Sequence, residues 1–285
     1  MDVPILFEAL PTRADGPGIE THLDELEPLK GQGLAGINVP EIINGHYHTV
    51  DPRTFALSAQ RRLGVPAILN RITVHHSGDA FTQWIHETQT LGINSLVLVG
   101  GESSSETYPG IHVREALERA SPVVDTGVIT IPTRRSSQFD EPDRLLAKQD
   151  AGASFAISQI LMESQAASNL QTDLAAHRKD ALRLFWSLAP VRREKDLAFL
   201  RWLGVDVPRD VARWLQDAGS NASRARRSHD MNLAIARNLL EDAEVAGSGP
   251  IGFCIEHVMA GNIDAAVELV GGVRDVCREF QAIVP

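Results

Sequence analysis

The feature that most constrains the fold is a repeated alternation of short apolar runs with longer amphipathic segments. Short runs rich in β-branched residues predict buried strands, and apolar residues spaced three and four apart predict helices. Eight strands are predicted: Ile5 to Phe7, Leu34 to Val39, Ala67 to Leu69, Ser95 to Val99, Gly127 to Ile131, Phe155 to Ile160, Phe185 to Leu188 and Ile251 to Ile255.

Helical patterns fall between these strands. They include Glu20 to Leu29, Phe55 to Leu63, Ala80 to Leu91, Val113 to Arg119 and Arg144 to Asp150. The last connection is longer and carries three patterns, Glu194 to Leu203, Arg209 to Gln216 and Ser223 to Glu244. Eight strands that alternate with helices predict an α/β fold. We expect a single (β/α)8 TIM barrel domain over residues 1–285, with extra helices before the last strand. An open doubly wound sheet is the competing architecture.

The charge balance favours small-molecule partners. The chain has 27 Lys and Arg against 37 Asp and Glu, a formal charge of -10, which opposes attraction to nucleic acid or to an anionic membrane. We therefore expect neither as a partner. The chain contains no apolar run of roughly 20 residues, and its start lacks the pattern of a signal peptide, so we expect a cytoplasmic protein. Cys254 and Cys277 are expected to be reduced thiols.

Two glycine patterns match the dinucleotide-binding spacing G-x-G-x-x-G, at Gly31 to Gly36 and at Gly247 to Gly252. A dinucleotide fingerprint follows a strand and opens a helix, so that the helix N-terminus faces the phosphates. Each pattern here follows a predicted helix and leads into a strand. Both are therefore interpreted as turns in which glycine ends a helix.

Polar residues at the C-terminal ends of the strands are the candidates for function, because the loops at that face build the site of a barrel. They include Glu8, Asn38 and Glu41, Asn70 and Arg71, Gly100 to Glu102, Ser158, Gln159 and Glu163, and Glu256 with His257. Carboxyls crowded in a partly apolar pocket raise one another's pKa, so that one can act as a general acid. Glu8 is the first candidate. Gln159 offers both a donor and an acceptor to a heterocycle.

Several stretches resemble the methylenetetrahydrofolate reductase family, in the same order along most of the chain. "FEALPTRADGPGIETHLDELEPL" resembles that family's "FEFFPP" start, and "GINSLVLVGGES" resembles its strand four, which ends in Arg-Gly-Asp. The most specific match is "KQDAGASFAISQILME", which resembles "KVDAGANRAITQFFFD". "GVDVPRDVARWLQDAG" and "IGFCIEHVMAGNIDAAVELVGGV" are similar to its last helical insertion and eighth strand.

This resemblance implies reduction of 5,10-methylenetetrahydrofolate to 5-methyltetrahydrofolate. Glu8 would be the proton donor that opens the methylene bridge, and Gln159 would hold the pterin. Glu102 stands where the family has the Asp of Arg-Gly-Asp and would stabilise the developing cation. Arg213, beside Trp214, is predicted to clamp the anionic tail of the substrate.

The departures from the family concern the hydride source. The Arg of Arg-Gly-Asp is Gly100 here, followed by Gly101. The histidine of the family's Tyr-Pro-Glu-x-His region after strand five has no counterpart in this chain. Lys148 alone remains of the family's Asn-x-x-Arg-Lys pattern. Glu41 and Asn70 add polar groups where a flavin would need room, and they are predicted to contact substrate. We therefore expect NADH or NADPH to donate hydride directly, without tightly bound FAD; a deazaflavin donor is the alternative.

Other interpretations stay open. Arg134, past strand five, is predicted to attract the phosphates of a cofactor, or to lie in a solvated loop. A metal-dependent lyase is suggested by His46 and His48 and by the pair at 75–76, although no carboxylate set accompanies them. A folate-binding protein without activity is a further alternative. The basic segment 224–230 is expected to form a solvated helix face, and we make no prediction of oligomeric state.

Overall fold

The computed structural model describes residues 3–16, 18–42, 49–101, 107–134, 140–177 and 182–283. Within these ranges eight strands close into a barrel in sequence order, and the strand pairs that can be followed residue by residue are parallel. The strands are β1 (Ile5–Glu8), β2 (Gly36–Val39), β3 (Ala67–Ile72), β4 (Ser95–Val99), β5 (Asp125–Thr130), β6 (Phe155–Ser158), β7 (Arg183–Leu188) and β8 (Ile251–Glu256). The predicted (β/α)8 barrel is confirmed, and the open sheet is wrong.

Ten helices occupy the connections and the C-terminal end of the described chain. They are α1 (Ile19–Leu26), α2 (Pro52–Leu63), α3 (Gly78–Thr90), α4 (Val113–Ala120), α5 (Glu141–Asp150), α6 (Gln165–His177), α7 (Glu194–Trp202), α8 (Arg209–Gln216), α9 (Asn221–Ala246) and α10 (Ile263–Ile283). The helices α7, α8 and α9 lie between β7 and β8, so the predicted extra helices are confirmed. Across the described residues, every helix is too short or too polar to cross a membrane.

The chain divides into two compact units. The N-terminal unit comprises Glu8–Thr130 and Asp143–Ile157. The C-terminal unit comprises Met1–Phe7, Ile131–Pro142 and Ser158–Pro285. The single folding domain expected from the sequence stays a prediction.

In the N-terminal unit, strand register decides which side chains share a face. Asn38 pairs with Ile68 across β2 and β3, and Asn70 pairs with Val97 across β3 and β4. Paired residues of parallel strands point the same way, and so do residues two apart on one strand. Asn38 and Asn70 therefore lie on one face of neighbouring strands.

The helix α2 shows how local sequence sets these boundaries. The Asp51 carboxylate accepts a hydrogen bond from the Arg53 N–H (2.8 Å), and Pro52 occupies the first helical position. Both residues stabilise a helix start, because the first N–H groups have no partner within the helix. At the other end Gly64 adopts φ 71°, the left-handed conformation that ends a helix.

The glycines of the two G-x-G-x-x-G patterns also serve as turns. Gly31 and Gly33 have φ of 74° and 68°, and Gly247 ends α9 with φ 58°. A side chain would be strained at such angles. The interpretation of both patterns as turns is thus confirmed.

In the C-terminal unit, the inserted helices pack on the residues that follow β6 and β7. Ile160 and Met162, after β6, and Ala189 and Val191, after β7, form one buried cluster with α7 and α8. The helices contribute Leu197, Leu200 and Leu215, and their connection contributes Val205. Burial of this apolar surface fixes the insertion beside the C-terminal ends of the two strands, where Gln159 begins its loop.

Candidate functional site

Glu8 ends β1 and is partly buried. The side-chain amide of Asn38, itself 2% exposed, donates from Nδ2 to Glu8 Oε2 at 3.0 Å. Asn38 also holds the chain after β1 in place, because its carbonyl oxygen accepts from the Ala9 N–H at 2.8 Å. One side chain therefore orients the carboxyl group, and the backbone of the same residue fixes the strand end that carries it.

Two buried amides in this unit have an unused acceptor. Within the described residues, no donor reaches Oδ1 of Asn38 or Oδ1 of Asn70, and Asn70 is 8% exposed. A buried carbonyl oxygen without a hydrogen bond is unfavourable by about 1 to 3 kcal/mol. Because Asn38 and Asn70 share a face, they present acceptors suited to a ligand that brings N–H groups.

Glu41 has a structural partner that the sequence did not reveal. Its carboxylate forms an ion pair with Arg71 and also accepts from the Ile72 N–H at 2.6 Å. The Arg71 guanidinium lies 4.4 Å from the centre of the Trp84 ring. Burial lowers the pKa of Arg71, and the Glu41 carboxylate opposes that shift. Glu41 thus holds the end of β3, and its predicted contact with substrate stays a prediction.

Of the two glycines after β4, Gly101 packs against an aromatic ring. A Cβ added at Gly101 would lie 2.2 Å from the Tyr108 ring, closer than atoms can approach, whereas one at Gly100 would lie 3.3 Å from Val113. The Tyr108 ring in turn meets the edge of His75, with centroids 5.7 Å apart. Gly101 is therefore required for close packing here. The predicted catalytic Glu102 follows directly, but it lies outside the described residues.

Lys148 and Arg134, the two cations predicted to contact a cofactor, have partners within their own units. In the N-terminal unit the Lys148 ammonium donates to the Ile129 carbonyl oxygen of β5 at 2.7 Å. In the C-terminal unit Arg134 lies 3.6 Å from the Glu141 carboxylate, which is 2% exposed and accepts from the Ile131 N–H. These contacts tie each cation to the end of β5.

Gln159 is the first residue after β6, because the strand ends at Ser158, two residues earlier than predicted. Its Nε2 donates to the Leu203 carbonyl oxygen at 3.3 Å, and its Oε1 accepts from the Ile160 N–H at 3.0 Å. Ser158 accepts from the Ser187 N–H at 2.9 Å and donates to the Gln159 carbonyl oxygen at 2.8 Å. Polar groups of β6 and β7 therefore meet at the backbone of Gln159.

Glu163 caps a helix. Its carboxylate accepts from the N–H groups of Gln165 and Ala166, at 3.1 and 3.3 Å, at the start of α6. A carboxylate there satisfies N–H groups that have no partner within the helix and favours the positive end of the helix dipole. The polar residues after β6 thus divide into a group at Gln159 and a cap at Glu163.

The strongest electrostatic perturbation in the C-terminal unit is at the end of β8. Burial raises the pKa of Glu256 to about 7, and the hydroxyl of Ser187 opposes the rise. The sequence predicted Glu256 at a strand end, but its protonation depends on desolvation that only the fold defines. Burial therefore favours the neutral acid form of Glu256.

The turn after Glu256 is strained. Val258 has φ 59°, a conformation rare for a β-branched residue. The Met259 N–H donates to the His257 carbonyl oxygen at 2.5 Å, which makes this a tight γ-turn of the uncommon positive-φ form. The His257 ring is 1% exposed and stacks on Phe7, with centroids 6.0 Å apart. Such strain persists only where the surrounding packing enforces it, and it concentrates at functional sites.

The predicted tail clamp has a further basic neighbour. Arg213 and Trp214 are both exposed on α8, but the guanidinium over the Trp214 ring belongs to Arg227, 5.4 Å from the ring centre. Arg227 also donates to the Trp214 carbonyl oxygen. The role of Arg213 and Trp214 in substrate binding stays a prediction, with Arg227 as a partner that the sequence did not indicate.

The segment 224–230 is not simply a solvated face, so that expectation is wrong in part. Arg224 is 8% exposed and donates to the Leu215 carbonyl oxygen at 3.0 Å and to Asn221 Oδ1 at 2.8 Å. Ser228 is fully buried and accepts from the Val191 N–H at 2.8 Å. Both side chains fix loops of the C-terminal unit, whereas Arg226 is exposed as expected.

Two histidine pairs suggested a metal site, and the structure describes one of them. His46 and His48 lie outside the described residues. Burial, together with Arg71 and His75, lowers the pKa of His76, so that its imidazole is neutral at pH 7. Among the residues that the structure describes, no group of three or more His, Cys, Asp or Glu side chains is arranged to hold a metal ion.

The predicted site residues thus fall into two groups with different surroundings. In the N-terminal unit, Glu8 accepts a hydrogen bond from the Asn38 side chain. Asn70 lies on the same face of the neighbouring strand as Asn38. In the C-terminal unit it places Gln159 next to the hydrogen-bonded pair Ser158 and Ser187. The remaining predicted residues, Glu41, Arg134, Lys148, Arg213, Trp214, Gly100 and Gly101, are held by other local contacts or exposed.

Comparison with known proteins gives a fold and no family. No protein-family model matches the chain, and no curated protein matches it. Among solved structures, an uncharacterized protein from Clostridium thermocellum that binds two copies of 5-methyl-5,6,7,8-tetrahydrofolic acid is similar, with a TM-score of 0.78 and 21% identity over 96% of each chain.

More distant similarity is to tryptophan synthases. The enzyme from M. tuberculosis gives a TM-score of 0.53 at 12% identity, over 97% of this chain and 93% of that one. A mutant α-subunit from Pyrococcus furiosus gives 0.51 at 12% identity, over 96% of this chain and 97% of that one. At these identities the similarities support the barrel fold alone.

Proposed function

We propose that this chain reduces 5,10-methylenetetrahydrofolate to 5-methyltetrahydrofolate, with hydride from NADH or NADPH. The observation that carries the proposal is the similarity along 96% of the chain to a barrel that binds 5-methyltetrahydrofolate, the product of this reaction. The stretch from Lys148 to Glu163, which resembles methylenetetrahydrofolate reductases, supports it from the sequence. Fold similarity alone does not define a reaction, so the residues must carry the argument.

Glu8 is the proton donor in the proposed reaction. Its carboxyl group gives a proton to N10 of the methylene bridge, and the bond between N10 and the bridging carbon breaks. The electron pair of that bond remains on N10, which leaves a cationic iminium at N5. The nicotinamide supplies the hydride that converts this carbon to a methyl group, and Glu8 regains a proton from water. Asn38 holds the carboxyl in one orientation through Oε2 (3.0 Å), which favours directed proton transfer.

The buried amides support recognition of a pterin. A pterin ring brings N–H groups together with carbonyl and ring-nitrogen acceptors. In the N-terminal unit the unused Oδ1 atoms of Asn38 and Asn70 offer acceptors to such N–H groups. In the C-terminal unit Gln159 offers both kinds of group, after exchanging its present bonds to Leu203 and Ile160 for bonds to the ring. Glu102, outside the described residues, keeps its proposed role beside the developing cation.

The fit to a tightly bound flavin is poor. Of the cations predicted to contact a cofactor, Lys148 already donates to the Ile129 carbonyl oxygen, and Arg134 pairs with Glu141. The close approach of the Tyr108 ring to Gly101 fills the space beside β4. These contacts support a nicotinamide nucleotide that binds and leaves in each turnover. A flavin or a deazaflavin remains the alternative hydride donor.

The first experiment is an absorbance spectrum of the purified protein, followed by anaerobic assays of NADH and NADPH oxidation with methylenetetrahydrofolate. We expect a colourless protein that oxidises the nicotinamide only when the folate is present. Flavin bound near stoichiometry would contradict direct transfer. Turnover with a reduced deazaflavin, but with neither nicotinamide, would replace the proposed donor and keep the reaction.

The role of Glu8 is tested by Glu8→Gln, with the exposed Glu25→Gln as the matched control. Loss of the proton donor is expected to lower kcat by roughly 10²- to 10⁴-fold, while binding of 5-methyltetrahydrofolate changes little. The control is expected to keep wild-type turnover. Unchanged turnover in Glu8→Gln would refute the proton donor, and absence of turnover in the wild type with intact folate binding would favour a binding protein without activity.

A further inference from the structure

The end of β8 contains a carboxyl group that the proposed mechanism does not use. In the register of β7 and β8, Ser187 pairs with Cys254. Glu256 is two residues beyond Cys254 on the same strand, so it shares a face with Ser187. Glu256 was predicted at a strand end from the sequence, but no role was predicted for it.

A line of polar groups connects this carboxyl to Gln159. The Ser187 N–H donates to the Ser158 hydroxyl oxygen at 2.9 Å, and the Ser158 hydroxyl donates to the Gln159 carbonyl oxygen at 2.8 Å. Strand register places Ser187 beside Glu256 on the neighbouring strand, although the Ser187 hydroxyl makes no hydrogen bond of normal geometry within the described residues. This hydroxyl lowers the pKa of Glu256, against the larger opposing effect of burial. Ser158, Ser187 and Glu256 therefore form a polar row across β6, β7 and β8, with Gln159 at one end.

The backbone after Glu256 is fixed in an unusual conformation. The γ-turn centred on Val258, with φ 59°, follows one residue later. Within the turn the buried His257 ring stacks on Phe7, which prevents the turn from relaxing without exposing the ring. The backbone that carries Glu256 is therefore fixed directly beyond its carboxyl group, an arrangement that suits a ligand-binding residue.

We propose that Glu256 is a ligand-binding carboxylic acid, which in its neutral form donates an O–H hydrogen bond to an acceptor atom of the pterin ring. The inference rests on the proposed function, because it takes folate as the ligand. It deepens that function by adding a residue to the binding site in the C-terminal unit, at the opposite end of the polar row from Gln159.

The proton on Glu256 is the variable that the test changes. Burial raises the pKa of Glu256 to about 7, so the acid form dominates below neutral pH and the carboxylate above it. Four elements pack against β8. β1 follows Pro4, whose carbonyl oxygen accepts from the Phe253 N–H, stacks Phe7 on His257 and ends at the carboxyl group of Glu8. β7 presents Ser187 and carries Arg183 at its opposite end, α10 carries the buried thiol of Cys277, and α9 carries Arg224 against the loop after β7. On its own strand and turn, Cys254 and His257 are the neighbouring titratable groups.

The experiment measures the Kd of 5-methyltetrahydrofolate by titration calorimetry from pH 6 to pH 8.5. Wild type is compared with Glu256→Gln, Ser187→Ala and the exposed Glu244→Gln as the matched control. For the wild type and the control, we expect constant affinity at low pH and roughly tenfold weaker binding for each pH unit well above 7. Glu256→Gln keeps a neutral donor, so its affinity is expected to stay near the low-pH value of the wild type at every pH.

Ser187→Ala provides a test that does not depend on the folding of Glu256→Gln. The Ser187 hydroxyl favours the carboxylate, so its removal raises the pKa of Glu256 further and shifts the loss of affinity to higher pH. An unchanged midpoint in Ser187→Ala would overturn the inference. So would wild-type pH dependence in Glu256→Gln, since the titration would then belong to another group or to the ligand.

The same experiment separates the two proposals. Folate binding in the wild type, with no effect of Glu256→Gln on its pH dependence, would refute only the role of Glu256. Absence of folate binding in the wild type and in Glu244→Gln at every pH would refute the folate assignment itself, and with it this inference.

Discussion

Replacing Glu256 by glutamine is expected to stabilise the folded chain at alkaline pH, even without a ligand. The pKa of Glu256 rises from an ordinary 4.5 to about 7 in the folded state, because burial disfavours the carboxylate. At 1.36 kcal/mol per pKa unit, ionising this group in the folded state costs about 3 kcal/mol more than in the unfolded chain. That difference is large compared with a typical stability of about 5 to 15 kcal/mol.

The sign follows from proton binding. Between pH 4.5 and about 7 the folded state holds more protons on Glu256 than the unfolded state does. The free energy of unfolding therefore falls as pH rises through this window, and the favourable contribution is fully present only below it. Glutamine does not titrate, so Glu256→Gln lacks this particular loss.

The assay is urea unfolding of the wild type and Glu256→Gln at a series of pH values from 4.5 to 8.5, followed by tryptophan fluorescence. Titrating groups distant from Glu256 contribute equally to both proteins. The difference between their free energies of unfolding therefore reports Glu256 together with any neighbouring group whose titration depends on its charge. That difference is expected to move by about 3 kcal/mol in favour of the variant across the range. For a chain of 285 residues, it corresponds to roughly 5 °C in Tm. A difference that does not change with pH would refute the reasoning.

Three further substitutions test local contacts by urea unfolding. Arg224→Ala is expected to destabilise by about 2 to 3 kcal/mol, because it removes a buried guanidinium bonded to the Leu215 carbonyl oxygen and to the Asn221 side chain. The exposed Arg226→Ala stays within about 0.5 kcal/mol, and equal effects of the two would contradict the buried role. Gly101→Ala is expected to destabilise by about 1 to 3 kcal/mol, because its Cβ meets a tyrosine ring at 2.2 Å, whereas Gly271→Ala, with open space in α10, gains about 0.5 to 1 kcal/mol; stabilisation by both would refute the steric argument. Glu163→Ala is expected to lose about 1 kcal/mol with the cap of α6, and an unchanged midpoint would exclude that cap.

The barrel could be predicted from the sequence because the patterns that indicate its strands and helices are local and repeat along the chain. Each apolar run and each amphipathic segment is interpretable from its own periodicity, and the count of eight then leaves few architectures. Glycines at 31 and 247 were also interpretable, since a helix end that needs positive φ favours glycine wherever it occurs. Boundaries were less accurate: β6 ends at Ser158, before the residue that the resemblance singles out.

Contacts between distant residues were not predictable from the sequence. Glu41 is at a strand end as predicted, yet its partner Arg71 lies 30 residues away, and nothing in the local pattern indicates that pairing. On α8 the order of residues suggested Arg213 as the neighbour of Trp214, but the guanidinium comes from Arg227 on another helix. Protonation of Glu256 depends on burial by the assembled unit, so no sequence pattern could have indicated it.

The two carboxyls at strand ends are assigned different tasks, and this division can itself be tested. Glu8, oriented by Asn38, is proposed to act on the chemical step, whereas Glu256 is proposed to act on folate affinity. If the tasks are independent, Glu8→Gln lowers kcat and Glu256→Gln changes the pH dependence of Kd. The double variant should then show both effects unchanged, because effects of independent sites add as free energies. A pH dependence of kcat that disappears only in the double variant would mean that both carboxyls act on the chemical step, and the separate assignments would then be wrong.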